Sequence, residues 1–171
     1  GWNACNCRSL QECIAHCKHI TLEEEIRINQ YEARLAAKYT EAGVPVATHI
    51  TANLTGYDAP RYRALVMTAQ TLIAAEQGIK QFYFELGQNQ HIIEDAATMD
   101  TVEKLAAEYL AKFGYEGIKW TSSAFTYLGA WPPRIDEAEA MICWNAVDTI
   151  MAGIDTVILK CRDEAFATPT K

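Results

Sequence analysis

The stretch Lys80-Gln81-Phe82-Tyr83-Phe84-Glu85, followed by Leu86-Gly87-Gln88-Asn89-Gln90, decides the fold. A short run rich in aromatic residues reads as a strand, and the polar, glycine-containing segment after it reads as a loop. Helical spacing then runs from about Ile93 to Phe113 and stops at Gly114. Upstream, a helix from about Tyr62 to Glu76 stops at Gly78. The unit is therefore strand, loop, helix, glycine, strand.

The same unit recurs on both sides. Thr21-Leu22-Glu23-Glu24 spells a helix start with Glu24 at the capping-box position, and Gly43 ends that helix. Val44 to Ile50 is the next strand, although Pro45 removes a ladder donor. Leu54-Thr55-Gly56 follows as part of a turn-rich loop. Ile118-Lys119-Trp120-Thr121 is a further strand, with Thr121-Ser122-Ser123 placed where it ends and a long aromatic loop from Phe125 to Pro133 after it. A helix from about Asp136 to Met151 stops at Gly153, and Thr156 to Lys160 is the last strand. Strands are thus expected near 1–6, 44–50, 81–86, 117–123 and 156–160. Repeated βα units with short glycine turns imply parallel strands joined by crossover helices. Four such units plus a leading strand predict an α/β fold of parallel βα units, the second half of a (β/α)8 TIM-type barrel. Residues 1–171 are read as a single partial domain. The chain opens on Gly1-Trp2-Asn3 and closes soon after an apolar strand, so a fragment of something longer is expected. A half-barrel exposes two strand edges and an apolar inner face, so association with its missing half or a second copy is also expected.

Composition narrows the function classes. Hydrophobic residues make up 50% of the chain and charged residues 22%, the balance of a globular protein. The net charge of −7 and pI of about 5.1 argue against nucleic acid and against an anionic membrane surface. No apolar run approaches the roughly 20 residues of a membrane span, and no signal peptide is visible, so a cytoplasmic protein is expected. Walker, G-x-G-x-x-G, G-x-S-x-G and H-E-x-x-H patterns are absent from the sequence.

Of six cysteines, Cys5, Cys7, Cys13 and Cys17 crowd the N-terminus beside His16 and His19. Thiolates and imidazoles suit a metal, but C-x-C-x5-C-x3-C lacks the paired knuckles of a zinc site. Scattered thiols near a cleft is the reading adopted, with a Cys/His metal-binding protein as an alternative. Cys143 and Cys161 are expected to be buried free thiols.

Polar residues gather where strands end: His49, Glu85, Thr121 to Ser123, and Lys160 with Glu164. Lys160 closes an apolar run, so its ammonium is expected at the mouth of the cleft, with Glu164 turned back to the same space. Spacing alone leaves a surface ion pair as an equal alternative. Glu85 reads as a general base or a loop acceptor, and His49 as a strand-end histidine or a catalyst. Tyr127-Leu128-Gly129-Ala130-Trp131-Pro132-Pro133 combines flat side chains with small and rigid ones. It suits a broad flat ligand, a subunit contact or a plain barrel lid.

Specific stretches carry a family likeness: Leu72 to Lys80, Ile93 to Ala97, Tyr109 to Tyr115, Leu128 to Pro132, Ala152-Gly153, Val157 to Ala165 and Pro169 to Lys171. Lys18 to Glu23 and Leu54-Thr55-Gly56 fall into the same register. Together they resemble the large (epsilon) subunit family of glutamate mutase, also called methylaspartate mutase. The resemblance implies a (β/α)8 barrel that works with a cobalamin-binding small subunit and covers adenosylcobalamin. It implies radical isomerisation between glutamate and 3-methylaspartate. Lys160 and Glu164 match the family's K-x3-E that contacts the adenosyl ribose, and Leu128, Gly129 and Ala130 match the stretch facing the corrin.

Substrate-side positions depart from the family. Its N-E-G-G-G reads Cys5-Asn6-Cys7-Arg8-Ser9 here, and Asn6 cannot be a base. Its two cleft tyrosines fall at Glu12 and His16, its F-H-Q-W reads Ala124-Phe125-Thr126-Tyr127, and its strand-end glutamate is His49. His16, Glu12, His49 and Phe125 are therefore the substrate-cleft candidates, and no catalytic residue is assigned. The expectation is a mutase component of the glutamate/3-methylaspartate type or one with another substrate, inactive as this chain alone; the alternative is a non-catalytic half-barrel remnant.

Overall fold

The computed structural model describes residues 3–6, 10, 18–52 and 59–166, with the backbone alone for 3–6. Among the described residues five strands, β1 (Asn3–Asn6), β2 (Val46–Thr51), β3 (Gln81–Gly87), β4 (Lys119–Phe125) and β5 (Thr156–Ile158), alternate with four long helices. The helices are α1 (Leu22–Glu41), α2 (Pro60–Glu76), α3 (Ile92–Lys112) and α4 (Ile135–Met151), and a 3-10 turn covers Glu164–Phe166.

Every neighbouring strand pair is parallel, and the sheet order is β1-β2-β3-β4-β5. Each new strand joins the same advancing edge, so the order never reverses as it does in a doubly wound sheet. This is the winding of a run of (β/α)8 barrel units.

Local chemistry sets the element ends. Thr21 Oγ1 accepts from the Glu24 backbone N–H (3.2 Å), and the Glu24 carboxylate accepts from the Thr21 N–H (2.8 Å). Two orphan donors are thereby satisfied at the start of α1. Pro60 opens α2, where its missing N–H costs nothing. Gly78 follows α2 with φ +96°, a left-handed turn that glycine adopts without strain, and Gly43, Gly114 and Gly153 close their helices alike.

The core lies between the helices and one face of the sheet. Phe82, Phe84 and Leu86, alternate residues of β3, are fully buried against Met67 and Ala74 of α2 and Met99, Val102 and Ala106 of α3. Trp120 and Phe84 meet with ring centroids 5.7 Å apart.

Several boundaries differ from expectation. β2 begins at Val46, because Pro45 cannot donate to the ladder. β4 runs on to Phe125, so Thr121, Ser122 and Ser123 lie inside the strand and Phe125 ends it. β5 stops at Ile158, which places Lys160 beyond the strand. Cys143 and Cys161 are exposed rather than buried. Cys143 lies on the outward side of α4 beside the exposed Trp144 and Val147, and Cys161 follows the short edge strand. The sheet face opposite the core is also not the apolar surface expected, since His49, Tyr83, Glu85, Thr121, Ser123 and Thr156 line it.

Candidate functional site

Parallel strands end together, so the segments following β3, β4 and β5 meet at one end of the sheet. Backbone bonds tie them there: Gln88 N–H donates to Phe125 O (2.8 Å), and Thr126 N–H donates to Ile158 O (3.3 Å). Lys160 sits just past that edge with its side chain only 12% exposed, and Nζ donates to Glu164 Oε1 at 2.5 Å. The Lys160 ammonium also lies 5.6 Å from the centroid of the Trp131 ring, within cation–π range. Trp131 is itself fixed by donating from Nε1 to Tyr127 O (2.9 Å).

The segment Leu128-Gly129-Ala130 lies in the chain between Tyr127 and Trp131, the two residues that this bond joins, and Trp131 is the residue that meets Lys160. A Cβ at Gly129 would meet the tip of the Tyr127 ring, which would have to shift to admit it. Cation, anion, indole and loop form one rim constellation. Hydroxyl-rich ligands suit it, since Lys160 offers donors and Glu164 offers acceptors.

A second group occupies the inner face of the sheet. The register sets His49 beside Tyr83 and Tyr83 beside Thr121, with Thr51, Glu85, Ser123 and Thr156 forming the adjoining row. His49 Nε2 lies 3.3 Å from Glu85 Oε1, an ion pair when the imidazole is protonated. The His49 and Tyr83 rings meet at 5.6 Å. Tyr83 Oη donates to Ser123 Oγ (2.7 Å) and lies 3.3 Å from Thr156 Oγ1. One strip of the sheet therefore carries an imidazole, a carboxylate and five hydroxyls.

Behind the rim lies a third, dry network. Arg63 of α2 is fully buried and donates to Gly87 O, and its other terminal nitrogen donates to Asn89 Oδ1 (2.7 Å). The Asn89 N–H donates to Asp95 Oδ2 (2.8 Å). Gln88 Nε2 reaches Asn145 O (2.8 Å), Asp148 Oδ2 (3.2 Å) and Thr149 Oγ1 (3.2 Å) of α4. Gln90 completes the turn at φ +66°, a conformation uncommon outside glycine. Burial holds the Asp95 carboxyl above its ordinary value, against the pull of Arg63. Burial, then the hydrogen bond and charge of Asp95, push Asp148 up to about 7.

The structure brings Lys160 and Glu164 together and sets Trp131, the residue after Leu128-Gly129-Ala130, against Lys160. It sets His49 against Glu85, while Phe125 pairs with Gly87 and Ile158 at the strand ends. Asn6 lies across the ladder from His49 and Cys5 across from Thr48. Glu12, His16, Cys7, Cys13 and Cys17 lie outside the described residues, as do Leu54-Thr55-Gly56 and Pro169 to Lys171. Among the described residues no cluster of three or more His, Cys, Asp or Glu could hold a metal, and no helix is long and apolar enough to cross a membrane.

Sequence reasoning missed Tyr83, Thr156, Arg63, Gln88, Asp95 and Asp148. Tyr83 and Glu85 carry a signal in the alternation of β3, where every second side chain leaves the core face. The Arg63–Asp95–Asp148 group carries none, because its members are far apart in the chain and look like ordinary helix-surface polar residues.

A sequence model of the family described as Methylaspartate mutase E chain matches residues 1–171. The chain is 34% identical over 158 residues to the glutamate mutase epsilon subunit of Yersinia enterocolitica serotype O:8 / biotype 1B, covering 92% of the chain and 33% of that protein. It is 32% identical to the glutamate mutase epsilon subunit of Escherichia coli O157:H7, with the same two coverages. The chain thus spans about a third of the length of these relatives. Among solved structures, 2,3-dimethylmalate lyase aligns at 18% identity and a TM-score of 0.41 over 94% of this chain and 50% of that one. Deoxyribose phosphate aldolase from Aeropyrum pernix aligns at 12% identity and a TM-score of 0.42, over 91% of this chain and 60% of that one. Similarity at that level bears on neither fold nor activity.

Proposed function

The chain belongs to the methylaspartate mutase E chain family, and from that premise we propose that it forms part of the barrel of an adenosylcobalamin-dependent carbon-skeleton mutase. Residues 1–171 act as one partial domain in this reading, completed by the rest of the barrel and paired with a cobalamin-binding small subunit. When bound, adenosylcobalamin supplies a carbon-centred radical through homolysis of its cobalt–carbon bond.

The residues present fit the adenosyl end of that group. The observation that carries the reading is the Lys160–Glu164 pair at 2.5 Å, shielded on one side by Trp131 and standing at the strand ends. A ribose diol needs a donor and an acceptor on adjoining oxygens, and this pair offers both. Charge-assisted hydrogen bonds of this kind are worth about 1.5–3 kcal/mol each when screened from water. Leu128, Gly129 and Ala130, just before Trp131 in the chain, offer a small, flat surface suited to the corrin. Lys160 and Glu164 bind and orient, and the Tyr127–Trp131 loop excludes water from their far side.

On the substrate side we extend the proposal to an acid other than glutamate. The family carboxylate position is Asn6 and the strand-end glutamate is His49, while Glu85 supplies a carboxylate on the neighbouring strand, 3.3 Å from His49. A base is thus present on the inner face, held by a different strand. His49 and Glu85 would orient the substrate and hold a proton at the imidazole.

The test is Glu164→Gln and Lys160→Met in the complete, reconstituted enzyme. Each lowers adenosylcobalamin affinity and turnover about tenfold or more, 1.4 kcal/mol being one decade. The double variant loses less than the sum of the two, because both residues serve one ribose. Normal binding and turnover in both single variants reduce the pair to a local ion pair and end the proposal.

A further inference from the structure

Two carboxyls from different helices, Asp95 of α3 and Asp148 of α4, meet behind the rim, and each is 1% exposed. Asp148 accepts from the Gln88 side chain and Asp95 from the N–H of the next residue, Asn89, so the two carboxyls flank one turn and each perturbs the other's titration. A carboxylate only accepts, so any bond between the two requires a proton on one. Asp148 Oδ1 points the same way: it is buried with no N–H or O–H donor facing it among the described residues. Its other oxygen takes the Gln88 bond. Both aspartates therefore hold the turn that follows β3.

We propose that Asp95 and Asp148 share a single proton and act as a clamp, released as pH rises, on the Gln88–Asn89 turn at the site end of the sheet. The inference goes beyond the mutase reading and needs neither cofactor nor substrate. With the proton in place, the pair carries one negative charge, balanced by Arg63 from α2, which also bonds Gly87 O and Asn89. Removing the proton sets two negative charges side by side in a dry interior, with one guanidinium to offset them. Among the described residues, two further ionisable groups touch this turn and the cap of α3. Glu94 accepts from Asn89 Nδ2 (2.9 Å), and His91 caps the helix, meeting Asp95 through its backbone. Neither supplies a second cation to Asp95 or Asp148.

The direction with pH follows from the raised values. Asp148 titrates at about 7 in the fold against an ordinary value of 3.8. Its contribution to stability is full below the ordinary value and is lost as pH rises from there through about 7. The pair titrates as a unit, so the proton belongs to both residues.

Infrared spectroscopy of the complete polypeptide, with 13C-labelled aspartate side chains, reads the proton directly. A protonated aspartic acid band is expected on the acid side of neutrality and disappears as pH rises past it. Asp148→Asn places a permanent donor against Asp95, so it keeps the clamp and abolishes the band; Asp95→Asn does the same from the other side. Amide exchange at Asn89 gives the second readout. Relative to Asp148→Asn at each pH, the wild-type amide becomes several-fold more labile across the same interval. A wild-type spectrum without a protonated aspartate on the acid side overturns the proposal, whatever the variants do. So does a band that persists unchanged in both variants, or an Asn89 amide whose protection tracks that of Asp148→Asn throughout.

Discussion

Two polar networks leave β3 in opposite directions and live in different media. On the inner face, His49, Tyr83 and Thr156 keep access to water while they contact Glu85 and Ser123. Past the end of the strand, Arg63, Gln88, Asp95 and Asp148 are dry. The bond lengths are similar, but the cost of breaking them is not. On the inner face His49, Tyr83 and Thr156 find water when left unpaired, whereas a group left unpaired among α2, α3 and α4 keeps its full desolvation penalty. The wet strip is free to exchange its partners for a ligand, and the dry network holds that strip in place.

The largest expected effect is therefore at Arg63. Arg63→Met leaves the Gly87 and Asn89 oxygens unmet and the aspartate pair without its counter-charge, at a cost of about 3–5 kcal/mol in chemical denaturation of the complete protein. A loss below about 1 kcal/mol would erase the contrast between the networks. Gln88→Ala comes next, at about 1–3 kcal/mol, because Asp148 and Thr149 lose a shared donor where no water replaces it. Tyr83→Phe removes one hydroxyl from the inner face and costs about 0.5–1.5 kcal/mol, with the exposed Thr156 turning to solvent and the buried Ser123 losing a partner. If Tyr83→Phe costs as much as Gln88→Ala, the inner face is as dry as the network behind it. Smallest is Asp100→Asn, which breaks the exposed Asp100–Lys104 pair on α3 and shifts stability by a few tenths of a kcal/mol. It calibrates what a bond of 2.7 Å is worth in water.

Legibility followed sequence distance. The capping box at Thr21 and Glu24 and the helix-ending glycines are local, and each appears in the structure where its pattern stands. Lys160 and Glu164 are also local: their spacing of four allows them to meet, and they do. Strand ends were blurred by two residues at β2 and β4, since Pro45 and the serines of β4 weigh on pairing in ways that local propensity does not resolve. The buried reading of Cys143 and Cys161 failed because an apolar neighbourhood in sequence does not say which side of a helix meets a partner. His49 was visible as a strand-end residue, but the carboxylate beside it arrives from a strand more than thirty residues later.

By itself the sequence determined the alternation of strand and helix, the parallel winding that such alternation requires, and the family, because periodicity, caps and motifs are written along the chain. Only the tertiary structure decided which polar groups lose their water. It joined His49 to Glu85 across two strands, and it closed Arg63, Gln88, Asp95 and Asp148 into one dry group drawn from three helices and a turn. The strength of a charge or a hydrogen bond depends on the dielectric around it, and that is a property of packing in space, which no spacing along the chain encodes.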